Sequence, residues 1–60
     1  METDDDRFIR IQNLLERIRG SGIYAQAQLE GWHGEIVRFV KEEGRSPLPS
    51  EIDRMRKRAA

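Results

Sequence analysis

Apolar side chains recur along this chain at spacings of three and four. Phe8, Ile11, Leu15 and Ile18 share one face of a helix, with Leu14 alongside. Ile9 falls on the opposite side of that face. A helix over about 4–19 is predicted. Leu29, Trp32, Ile36, Phe39 and Val40 form a second face, and predict a helix over about 22–43. Leu48, Ile52 and Met55 supply a third, shorter face over about 49–58. No run alternates with period two, so no strand is predicted. The expected fold class is all-α: an antiparallel helical hairpin with a short third C-terminal helix, in a single small domain covering 1–60.

The helix ends are marked by the residues that stop and start helices. Thr3 is a suitable N-cap, and Asp6 three positions on makes a capping-box-like pair. Gly20-Ser21-Gly22 ends the first helix and permits a tight reversal. Gly44 stops the second. Pro47 favours an extended residue before it, Pro49 suits the first position of a helix, and Glu51 complements the dipole there. Within the second helix, Ala27, Gly31 and Gly34 form a stripe of small residues. An interior glycine costs ~1 kcal/mol relative to alanine. The stripe therefore marks a close helix contact, a kink, or an exposed stretch of weak propensity.

Size limits what this fold can do alone. A domain of 60 residues buries only about 60% of the surface of its unfolded chain. Small scaffolds usually add disulfides, a metal or a partner subunit. Cysteine is absent, His33 is the lone histidine, and no Asp- and Asn-rich loop is present. No metal or cofactor is expected, and a homodimer is the expected route to further burial. Lys and Arg number 11 and Asp and Glu 11, so the formal charge is zero, against the net basic character of a dedicated nucleic-acid binder. The signs are nevertheless segregated: residues 2–6 are acidic and residues 54–58 basic. No apolar run approaches the ~20 residues of a membrane span. An acidic start does not fit a secretory signal, so the expectation is a cytoplasmic protein without membrane contact.

Catalytic chemistry has few candidates. Ser21, Ser46 and Ser50 sit at predicted caps or turns. His33 is the lone candidate base, beside Trp32 at the edge of the apolar face, where a structural role is expected. Glu30 with Glu35, or Glu42 with Glu43, would need a pocket to separate their pKa values, which so short a helical chain rarely encloses. Arg38 and Glu42 have the i,i+4 spacing of a surface pair. The expected function is non-enzymatic: a small regulator, adaptor or inhibitor that binds another protein, or itself, through helical faces. Its candidate contacts are Tyr24, Ala27, Gly31, Trp32, Gly34 and Phe39. The alternative is a small dimeric DNA-binding transcriptional regulator that places Arg45, Arg54, Arg56, Lys57 and Arg58 on phosphates or an acidic partner. The terminal charges also have a structural reading, because Asp4 to Asp6 and Arg56 to Arg58 complement helix dipoles.

Two segments are similar to DNA-binding helices. Gly44-Arg45-x-Pro47-x-Pro49-x-Glu51-Ile52, preceded by Val37, Phe39 and Val40, resembles the opening of helices in the sigma-factor region 3 class and related helix-turn-helix proteins. That resemblance implies a following turn and groove-reading helix, for which these residues leave no room, so base recognition by that route is not expected. Ala27-x3-Gly31-x5-Val37 resembles the Ala, Gly and Val spacing of a bacterial helix-turn-helix. Gln26 and Glu30 depart from its apolar positions, and Glu35, Glu42 and Glu43 would repel phosphate from its second helix.

Overall fold

A computed structural model gives the fold and describes residues 3–59. Glu2, part of the acidic run, and Ala60 lie outside the described residues. Among the described residues four helices follow one another: α1 (Asp4–Arg19), α2 (Gly22–Glu30), α3 (His33–Glu43) and α4 (Pro49–Ala59). Among the described residues there is no strand. The molecule measures 38 × 19 × 16 Å.

Helix α1 begins in a complete capping box. The Asp6 amide donates to Thr3 Oγ1 at 3.2 Å, and the Thr3 amide reaches Asp6 Oδ2 at 3.5 Å. Ile11, Leu15 and Ile18 are its buried stripe, while Phe8 and Ile9 are exposed. Ser21 then caps α2 by accepting from the Tyr24 amide, and its own hydroxyl donates to the Ile18 carbonyl. One side chain thus closes α1 and opens α2.

The single second helix expected over 22–43 is instead two helices. Gly31 adopts φ +83°, a left-handed conformation that only glycine enters at little cost. The Trp32 amide donates to the Ala27 carbonyl at 2.9 Å, and the Gly31 amide to that of Gln28 at 3.3 Å. This pair of bonds is a Schellman motif. Its apolar partners, Ala27 and Trp32, are both buried in the core. The chain then re-enters a helix in a new direction and phase. Leu29, expected on the core face with Trp32 and Ile36, is consequently 91% exposed. The small-residue stripe dissolves in the same way. Ala27 is buried, Gly31 is the cap, and Gly34 faces open space, with nothing within 4 Å of a Cβ placed on it.

Gly44, at φ +69°, ends α3 in a simpler left-handed cap, its amide donating to the Val40 carbonyl at 2.8 Å. After a short non-helical link, Pro49 opens α4. Leu48 is its cap residue: the Leu48 carbonyl accepts from the Glu51 and Ile52 amides, and the Leu48 amide donates to Glu51 Oε1 at 2.8 Å. The core comprises Ile11, Leu15, Ile18, Tyr24, Ala27, Trp32, Ile36, Val40 and Met55. Of these, only Met55 comes from α4. The N-terminal part of α1 is tied to the end of α3 by the Arg7 guanidinium, which donates to the Glu42 carbonyl at 3.3 Å.

Candidate functional site

The most differentiated surface lies where α4 crosses α3. Glu35, Arg38, Phe39 and Glu42 of α3 face Glu51, Arg54, Met55 and Arg58 of α4 across a cleft of ≈ 180 Å³. Carboxylates and guanidinium groups alternate along it. Arg45 forms the clasp at one end. It donates to Glu51 Oε1 at 2.8 Å and to Oε2 at 2.9 Å, a bidentate pair, while its guanidinium lies 4.9 Å from the Phe39 ring centre. Hydrogen bonding from Arg45, and next from the Leu48 amide, holds the Glu51 carboxyl down at about 2, below its ordinary 4.5. At the other end Arg58 reaches Glu35 at 3.3 Å. On α3 itself, Arg38 and Glu42 pair at 3.1 Å with the i,i+4 spacing read from the sequence.

The opposite flank of α4 is apolar. Ile18, Ile23, Ile36, Pro47 and Ile52, with Arg17, Ser21 and Ser46 at its edge, line a solvent-open groove of ≈ 260 Å³. Pro47 precedes the cap and Ile52 follows three residues after Pro49, the positions of a hydrophobic staple.

The six candidate protein contacts do not form one surface. Tyr24, Ala27 and Trp32 belong to the core. Phe39 is half-buried beneath Arg45. Gly31 and Gly34 are exposed, one in the turn and one on the outer side of α3. The basic candidates are partly engaged within the fold. Arg45 is bound to Glu51, Arg58 to Glu35, and Arg56 lies 5.8 Å from the Trp32 ring centre. Arg54 lines the cleft and Lys57 is exposed. His33 sits edge-on to Tyr24 with ring centres 5.9 Å apart, and its Nδ1 is buried without a hydrogen-bond partner among the described residues. Ser21 is a cap, and Ser46 offers its carbonyl to Arg45.

No family model, curated protein or solved structure matches the chain.

The surface is open to further contacts chiefly at large apolar residues that the sequence reading placed elsewhere or left aside. Leu29 is 91% exposed, Phe8 62%, Leu48 57% and Ile9 56%. Ile9 was legible, because it opposes the α1 stripe. Leu29 was not, because only the break at Gly31 turns it outward. Among the described residues no group of His, Asp and Glu side chains is arranged to hold a metal ion, and no helix is long and apolar enough to cross a membrane.

Proposed function

We propose that this protein is a non-enzymatic interaction module, a small regulator, adaptor or inhibitor that binds protein through its helical faces. A second copy of itself is the first partner to test. The observation that carries this reading is the exposure of Leu29, Phe8, Leu48 and Ile9 beside a core of nine residues. Single exposed apolar residues are ordinary. Four large ones on so short a chain leave apolar area that a homodimer would remove from water, at ~25 cal/mol per Å². Self-association predicts a thermal midpoint that rises with protein concentration and a dimer mass by light scattering. Leu29→Ser and Phe8→Ser should shift both toward the monomer. A concentration-independent midpoint with monomer mass removes the homodimer.

A second reading, a small DNA-binding regulator, has one observation in its favour. Helices α2 and α3 meet at a left-handed glycine, with Ala27 buried four residues before it and Val37 half-buried six residues after it. Against it, α4 lies along α3 at Glu35, Arg38, Phe39 and Glu42, and Arg45, Arg56 and Arg58 already have partners within the fold. Phosphate contacts would give a DNA affinity that falls steeply with added salt. No binding at low salt removes this reading.

A further inference from the structure

Two of the large exposed apolar residues, Phe8 and Ile9, share one helix, α1. That helix packs on α2 and α3 through Ile11, Leu15 and Ile18. Its outward side carries Asp5, Ile9, Gln12 and Glu16, a stripe at i, i+4, i+7 and i+11 that is exposed throughout, with Phe8 and Arg19 flanking it. Charge is segregated along the same helix. Asp4, Asp5 and Asp6 fill the first turn, and Arg17 and Arg19 lie in the last. Among the described residues Asp4, Asp5, Arg17 and Arg19 make no ion pair. The remaining cations of α1 are drawn to the end of α3 instead. The Arg7 guanidinium donates to the Glu42 carbonyl, and that of Arg10 lies against Gly44.

We propose that two copies of the chain pair through the outward side of α1, antiparallel, about a two-fold axis near Gln12. This rests on the self-association reading above and deepens it by naming the surface and its orientation.

The charges set the orientation. Asp5 and Arg19 are each seven residues from Gln12. In an antiparallel pair centred there, Asp5 of one copy stands level with Arg19 of the other, and Asp6 falls within one residue of Arg17. A two-fold axis makes every such contact twice. A parallel pair would set acidic turn against acidic turn and align the helix dipoles unfavourably. The same arrangement explains why the partner is a second copy. Opposite charges equally spaced about one residue make a surface complementary to itself, which is what a closed, isologous contact requires. Phe8 and Ile9 supply the apolar part. They stand level with the stretch between Gln12 and Glu16 of the other copy. The methylene groups of those two side chains cover them while the polar ends stay at the edge, so apolar area leaves water on both sides of the axis.

The test uses the full chain and two independent readouts. The chain has no cysteine, so a single introduced thiol reports proximity. Gln12→Cys, next to the axis, should form a disulfide-linked dimer under mild oxidation roughly tenfold faster than Lys57→Cys, exposed on α4. The second readout is dimer dissociation by sedimentation, with helix content checked by circular dichroism. Asp5→Arg and Arg19→Asp should each weaken the dimer by roughly tenfold, and added salt should weaken the unmodified dimer. The double variant should recover the dimer. Both reversals oppose the dipole of their own helix end, so a purely structural role would make the double variant worse than either single one. No recovery in the double variant, single reversals without effect, or Gln12→Cys linking no faster than Lys57→Cys overturns the pairing. A dimer mass that persists through these changes leaves self-association standing on another surface, whereas a monomer mass for the unmodified chain at every concentration removes both.

Discussion

Two joints built on a left-handed glycine divide this molecule, and they are held to different degrees. At Gly31 the chain closes a Schellman motif, and the residues at its two ends, Ala27 and Trp32, both enter the core. At Gly44 a single amide bond to Val40 closes the cap, Arg45 clasps the link to the first turn of α4 through Glu51, and α4 reaches back to the core with Met55. One joint is set by buried apolar contact, whose cost of disruption is several kcal/mol. The other is set by a smaller apolar contact, Met55 in the core with Ile52 packed beside it, and by an exposed charge pair worth little in water. The difference lies in how much of the core follows each turn: Trp32, Ile36 and Val40 after Gly31, and Met55 after Gly44. A left-handed glycine turns the chain in both places; what holds the turn in place is the residue that follows it.

The largest predicted effect falls on the first joint. Trp32→Ala removes the apolar lock and a core side chain, and should cost about 3–5 kcal/mol, measured by chemical denaturation. A loss below ~1 kcal/mol would put both joints on the same footing.

The second joint should respond to acid. The Glu51 carboxyl is held at about 2 against its ordinary 4.5. A carboxyl depressed by folding contributes attachment that is fully present above its unfolded value and is lost as pH falls through its folded value. The clasp between the link and the first turn of α4 should therefore be constant near neutrality and weaken as pH falls from about 4.5 to about 2. Residue-resolved NMR would show α4 amides moving with the Glu51 carboxyl, and Glu51→Gln should remove that dependence. Amides of α2 following the same titration would contradict the separation of the two regions.

The smallest effect is expected at Leu29. On the outer side of α2 its replacement by serine should change folding stability by no more than ~0.5 kcal/mol. A continuous helix from 22 to 43 would put Leu29 on the core face and make the same change costly.

That contrast also shows what could be read in the sequence. The start of α1 was legible because Thr3 and Asp6 are three apart and satisfy each other's amides locally. The start of α4 was legible because Pro49 constrains the backbone by itself. The break at Gly31 was not. Gly31 and Gly34 are the same residue three positions apart, and the run Leu29, Trp32, Ile36 fits an unbroken helix. What separates them is tertiary: Trp32 and Ala27 meet the core only if the chain turns between them. The α3–α4 cleft was hidden for a related reason. Arg45 and Glu51 are six apart, and Glu35 and Arg58 are 23 apart. No helical spacing brings such residues together, and the bend at Gly44 to Leu48 does.

The claim that one glycine is a joint and the other an ordinary helical residue can be tested by comparing Gly31→Ala with Gly34→Ala in equilibrium unfolding. At Gly31 the space is open, and the penalty is the left-handed backbone at φ +83°. Alanine there should destabilise by about 1 kcal/mol. At Gly34 the backbone is helical and nothing lies within 4 Å of the new Cβ. Alanine there should stabilise by up to ~1 kcal/mol. Opposite signs are the predicted result, and stabilisation by both substitutions would mean a single helix runs through Gly31.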